Sequence, residues 1–189
     1  LASVRAVEDA LKVKIPTNAR IIRNLTHAAQ NIPDHAVHFY QLCALDWVDV
    51  VSALSADPKK TAELSDAVSG RAQGPKYYEA LKGKLKAFVD SGQLGPFANA
   101  YWGHPAYKLP AEANLMAVGH YLDNLRNQVY AAQLTAIWGA KNPHLQRHLP
   151  GGVTVAQQLG SVEWIAKYKY MLKEQIKFKS LLFDDHVGK

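Results

Sequence analysis

Two stretches of this chain repeat apolar residues at intervals of three and four, and that spacing constrains the fold more than any other feature. In the first, Ile22, Leu25, Ala29, Ile32, Ala36, Phe39, Cys43, Trp47, Val50 and Leu54 follow one another behind Thr17, a capping residue after Pro16. The pattern predicts one long helix, or two in line. A kink is expected near Ala29 to Pro33, because a proline inside a helix removes a backbone hydrogen bond and clashes with the preceding turn, at a cost of about 3 kcal/mol. In the second stretch, Leu115, Val118, Leu122, Leu125, Val129, Ala132 and Ala136 predict a helix from near Ala111. It should be roughly forty ångströms long at ~1.5 Å per residue, with Asn142 and Pro143 stopping it.

Shorter elements fill the remainder. Leu1 to Leu11 opens already in helical pattern, with Val4, Val7 and Leu11 on one side and no initiating methionine, as in a chain that has been cut. Asp57 and Pro58 start a helix to about Val68, and Gly70, Gly74 and Pro75 mark a loop before a lysine-rich helix from Lys76 to about Ser91, ended by Gly92. The stretch 95–110 mixes chain breakers with Phe97, Tyr101, Trp102 and Tyr107, so it is expected to be an ordered, irregular connection. A Gly151-Gly152 turn precedes a last helix from near Ser161 to about Lys179. No internal repeat occurs, and no alternation is long enough for a confident strand. The expected fold class is all-α: a bundle of long helices with one long irregular loop at about 95–110, in a single helical domain over 1–189.

Charge and cysteine usage narrow the chemistry. Lys and Arg number 22 against 16 Asp and Glu, a net +6, but the excess at Lys76 to Lys86 and Lys167 to Lys179 is spread around helices rather than gathered into a stripe. No nucleic-acid partner is expected. Cys43 is the single cysteine, so this chain alone makes neither an internal disulfide nor a thiolate cluster. Its place on the apolar pattern suggests a core residue rather than a nucleophile. No apolar run approaches the length of about eighteen residues that a membrane span needs, and no signal peptide is visible.

Of the eight histidines, His35 and His38 lie closest to another ligand type, Asp34. Asp34 and His38 are four apart and share a helix face as two ligands do, yet a bundle metal site needs matching donors from facing helices. The spacing therefore leaves both a metal or haem site and a tied-up polar core open. Asp46 and Asp49 read as solvent or capping residues. No serine elbow, phosphate-cradling loop or zinc-protease string occurs. On the residues alone the chain is a helical domain of open function, with a stand-alone metal-binding protein and an interaction-only module both in view.

Several strings, in order, add a resemblance: LASVRAVE at 1–8, DHAVHFY at 34–40, ALDWV at 44–48, GHPAY at 103–107, and AKNPH at 140–144 followed by Gly151-Gly152. Together they resemble the central part of nickel-iron hydrogenase large subunits, nearly up to Lys177. The resemblance implies a parent enzyme that interconverts dihydrogen with protons and electrons at a nickel-iron centre. In the family that centre is held by two cysteine pairs, one near each end of the subunit, so this chain lacks both and no cofactor is expected in it alone.

By the same resemblance, Asp34 matches a carboxylate that pairs with an arginine poised over the metals, the arginine lying outside this chain. His144 matches a histidine at the contact with the iron-sulfur small subunit, on the electron path. The implied partners are that small subunit and the remainder of the large subunit, with self-association when the piece is alone. The implied location is periplasmic, membrane-associated through partners, with a cytoplasmic one as the alternative. Pro33 stands where the family usually has histidine, as do Gln41 and Cys43. The run 178–189 departs from the family pattern and receives no role.

Overall fold

The computed structural model describes residues 1–69, 73–98, 105, 107–154, 166, 167, 169, 170, 172 and 173. Its helices are α1 (Ala2–Leu11), α2 (Thr17–Val37), α3 (Pro58–Ser69), α4 (Pro75–Asp90) and α5 (Ala111–Gly139). An antiparallel ladder of β1 (His148–Leu149) and β2 (Gly152–Val153), two residues each, is the one sheet among the described residues. The class is all-α, as the spacing predicts. The described residues divide into two compact units, one within Leu1–His35 and Asn127–Lys179, the other within Ala36–Arg126.

In the first unit, α1 ends at Lys12 in the left-handed conformation (φ 56°), where the Val13 N–H donates to the Glu8 carbonyl at 2.9 Å. The apolar side expected of α1 is not its buried side: Val7 and Leu11 are exposed, and the buried residue is Glu8. On α2 the buried face runs through Ala19, Arg23, Thr26 and Ala29; Ala29 belongs to the apolar set, whereas Arg23 and Thr26 lie one position past Ile22 and Leu25. The Thr26 hydroxyl donates to the Ile22 carbonyl at 2.9 Å, which satisfies a hydroxyl that burial would otherwise leave without water. Ala29 and Leu134 form the core, with Leu25, Ile137, Trp138 and Leu172 packed around them.

Helix α2 does not continue to Leu54. After Val37 the chain widens into a π-helix, His38–Cys43, and then tightens into a 3-10 turn, Ala44–Asp46. A change from the α to the π register rotates every later side chain, so the three-and-four pattern loses its single face. Trp47, on the predicted stripe, is exposed, whereas Tyr40 and Val48 are buried.

The second unit packs Val48, Val50, Ala53 and Ala56 against Ala62 of α3, Tyr78, Leu81 and Leu85 of α4, and Leu115 and Val118 of α5. Burial of each large side chain contributes roughly 1.5–3 kcal/mol, which is what holds these helices. Asp57 starts α3: its Oδ1 accepts from the Lys59 N–H at 2.7 Å and the Lys60 N–H at 3.3 Å, and those bonds pull its carboxyl below the ordinary range. Pro75 opens α4, and Gly92 at φ 70° follows its end.

Helix α5 has the expected start and about the expected length, 29 residues, and ends at Gly139, shortly before Asn142. Its predicted stripe is only partly inside, since Leu122, Leu125 and Val129 are exposed. The buried positions instead include Asn114, His120, Asn124 and Thr135. Each of the two asparagines has partners. Asn114 Nδ2 donates to Ser52 Oγ and to the Leu109 carbonyl while Oδ1 accepts from the Asp49 N–H, and Asn124 Nδ2 donates to the Ala36 carbonyl and to Gln41 Oε1. In the 95–110 connection, the Tyr107 hydroxyl donates to the Leu45 carbonyl at 3.1 Å and Phe97 packs edge-on against Phe88, while Tyr101 and Trp102 lie outside the described residues. Most of the expected last helix, Ser161 to Lys179, also lies outside them. The described positions there are helical.

Candidate functional site

Asp34 sits in the last turn of α2, exposed, and Gln30 Nε2 donates to its Oδ1 at 2.7 Å across one helical turn. Each carboxylate oxygen has further acceptor capacity, so this bond orients the group without closing it to an incoming guanidinium. His35 is exposed beside it. His38, exposed at the first π position, has Nδ1 3.6 Å from Cys43 Sγ, a contact between residues five apart that the wider π register brings onto one side. Cys43 is therefore half-buried beside a histidine, not a core residue. Asp49 behaves as the cap expected of it, accepting from the Val51 and Ser52 N–H groups.

A soft metal centre needs several converging donors, most of them thiolates. Among the described residues no three His, Cys, Asp or Glu side chains converge, and the sequence holds one cysteine. The donor set here does not fit a nickel-iron centre. Among the described residues no facing ligands join His35 and His38.

His144 lies at the tip of the loop that leaves α5. Ala140 and His144 adopt positive φ (69° and 64°), and the Asn142-Pro143 bond is cis. Ala140, Lys141, Pro143, His144 and Gln146 are exposed. Behind the tip, the Gln146 N–H donates to the Gly139 carbonyl at 3.0 Å and Arg147 Nη1 to the Ile137 carbonyl at 3.2 Å. Leu145 packs over Gly139 where the loop folds back on its helix, so a Cβ there would require the leucine side chain to shift.

At the base of the loop is a constellation that the sequence did not announce. Arg23, 1% exposed, forks onto Glu8 with Nη1 to Oε2 at 2.8 Å and Nη2 to Oε1 at 2.6 Å. Its Nη2 also donates to the Leu149 carbonyl at 2.7 Å and the Gly152 carbonyl at 2.8 Å, and the Gly151 N–H donates to Glu8 Oε1 at 2.8 Å. The Arg23 hydrogen bond, helped by Gly151 and by the charges of Arg23 and Arg5, outweighs burial and holds the Glu8 carboxyl at about 2. The only available signal was a pair of charged residues at helical positions next to apolar ones, and that pattern also describes a solvated face.

His148 of β1 is buried nearby, with neither ring nitrogen hydrogen-bonded among the described residues. Burial, then the positive charges of the Leu1 amine, Arg23 and Arg5, push its pKa below the ordinary 6.5. Replacing His148 by Phe keeps a ring and removes two unsatisfied atoms, so it should stabilise the chain by about 1–2 kcal/mol at neutral pH. The gain should grow as pH falls below 6.5, because the unfolded histidine takes a proton there before the folded one does. Urea unfolding of both forms at several pH values checks this, and equal stabilities throughout would contradict it.

The fold and the loop thus describe a helical scaffold that presents polar residues at its surface without a metal-ligand set of its own among the described residues. A family model described as nickel-dependent hydrogenase matches residues 1–187, reaching into the 178–189 run that the strings alone leave unassigned. The chain is 57% identical over 155 residues to the uptake hydrogenase large subunit of Alcaligenes hydrogenophilus, covering 81% of this chain and 25% of that protein. It is 57% identical over 154 residues to the uptake hydrogenase large subunit of Bradyrhizobium diazoefficiens (81% and 26%) and 53% identical over 154 residues to the hydrogenase-2 large chain of Escherichia coli K12 (81% and 27%). The chain belongs to the nickel-dependent hydrogenase family, as a portion of a large subunit, and it spans about a quarter of the length of these curated relatives.

Proposed function

We propose that this chain is scaffold for the nickel-iron centre of an enzyme that reversibly oxidises dihydrogen to protons and electrons, as one part of a larger large-subunit fold. What carries the reading is the identity of more than half the residues to hydrogenase large subunits over four-fifths of the chain. The thiolates that hold the metals are supplied by other parts of the large subunit, since one cysteine cannot supply them. Asp34 orients an arginine contributed by those other parts, and His144 meets the iron-sulfur small subunit on the electron path. The enzyme works on the periplasmic side of a membrane, attached through partners. No helix among the described residues is long and apolar enough to cross one.

The remainder of the large subunit also covers apolar surface left open here. An apolar cavity of about 320 Å³ in the second unit is lined by Leu45, Val48, Leu81, Phe88 and the exposed Leu122 and Leu125. Such surface on an isolated piece drives association. Purified alone, the chain should carry nickel and iron at background and run as self-associated species in size-exclusion chromatography with light scattering. A clean monomer with stoichiometric metal that His38→Ala removes would instead favour the stand-alone metal-binding reading.

A further inference from the structure

The buried pair Glu8–Arg23 spans α1 and α2, yet both its members also hold the backbone of the 149–152 turn: Arg23 through the Leu149 and Gly152 carbonyls, Glu8 through the Gly151 N–H. These contacts fix where the turn lies whatever its side chains are. Holding a surface turn by burying two opposite charges is a poor route to stability, because desolvation offsets most of the attraction and well-packed apolar residues serve as well or better. What such a pair supplies is a single geometry, through a rigid planar fork that meets a carboxylate and backbone carbonyls at once.

The turn is one of two anchors of the His144 loop. The other is the end of α5, through Gln146 to the Gly139 carbonyl, Arg147 to the Ile137 carbonyl and Leu145 packed on Gly139. The exposed tip, with its positive-φ residues Ala140 and His144, leaves α5 at Gly139 and returns at Gln146, and the 149–152 turn holds the returning chain just beyond, so a shift of either anchor turns the tip. We infer that Glu8 and Arg23 are positioning residues that set the angle at which His144 is presented to the small subunit. This rests on the reading of His144 given under the proposed function.

The test uses the complete two-subunit enzyme and separates chemistry at the metals from the exit of electrons. Exchange of D2 with solvent protons (D2 + H+ giving HD + D+) needs no electron to leave. Reduction of methylene blue by H2 does, since each H2 yields two protons and two electrons and the dye takes both electrons. Arg23→Lys keeps the charge beside Glu8 but loses the fork. It should keep nickel content and D2 exchange at the parent level while dye reduction falls about tenfold, a cost typical of a small misplacement. Adding His144→Ala to Arg23→Lys should bring no further fall, because the two changes disable one device. Arg23→Met, which leaves a buried carboxylate unpaired, can fail to fold, so Arg23→Lys decides. If Arg23→Lys matches the parent while His144→Ala alone slows dye reduction, the pair is not a positioning device. If nickel, exchange and dye reduction all fall together in Arg23→Lys, the pair is structural and the inference is overturned. If His144→Ala alone leaves dye reduction intact, the reading of His144 fails instead, and the inference with it.

Discussion

In the complete enzyme, Asp34→Ala should lower the rate of H2 oxidation by about ten- to a hundredfold while leaving nickel content unchanged. The expectation follows from the proposed pairing of Asp34 with an arginine from another part of the large subunit. The carboxylate is exposed at the end of α2, pointing away from the chain's own core, with Oδ1 steadied by Gln30 at 2.7 Å. In the proposed role such a carboxylate is a charge-assisted partner for that arginine, and removing it should free the guanidinium to adopt unproductive angles. Asp34→Asn keeps the shape and the Gln30 contact but loses the charge, so it should fall between the parent and Asp34→Ala. Turnover measured per nickel separates this from poor assembly. An undiminished rate in Asp34→Ala would show that the carboxylate orients nothing that matters to the reaction.

The second large effect lies in the core. Leu115 and Leu134 are both 0% exposed, and truncating either to Ala should cost about 2–5 kcal/mol, the lost transfer energy plus the cavity left behind. Leu122 and Leu125 lie on the same predicted stripe as Leu115 but are 39% and 44% exposed, so their Ala variants should lose clearly less stability than Leu115→Ala. Denaturant unfolding of the four variants checks the contrast. Comparable losses at Leu122 and Leu115 would mean that the buried face of α5 has been misplaced.

That contrast also shows how far residue patterns reach. Element existence was legible: α3, α4 and α5 follow Asp57-Pro58, Pro75 and the apolar spacing closely, because capping and periodicity are local signals. Which face would be buried was less so. On α5 the inner side carries Asn114 and Asn124, which tertiary hydrogen bonds make compatible with burial, and Thr135, whose hydroxyl donates to the Ala131 carbonyl one turn back. The end of α2 was missed because the switch to the π register leaves no mark in apolar spacing until the face has already rotated past Trp47.

The site divides in the same way. Asp34 and His144 came from resemblance, and their exposure is a property of the fold that spacing alone does not give. Glu8 and Arg23 were hidden because a charged residue in a helix ordinarily points to solvent. Their pairing depends on a turn more than a hundred residues later in the chain, which no local pattern reports. The low carboxyl pKa of Glu8 means that this anchor persists through the neutral range and weakens only in strong acid, as pH falls from the ordinary 4.5 toward about 2.

The most direct measurement places residues 1–154 in the large subunit of the Alcaligenes hydrogenophilus uptake hydrogenase in exchange for the matching segment, and reads nickel content and H2-driven dye reduction of the purified complex. A chain shaped to surround a nickel-iron centre should give a complex that carries nickel and oxidises H2. A chimera that folds and binds the small subunit, yet carries no nickel and leaves the dye oxidised, would contradict the account.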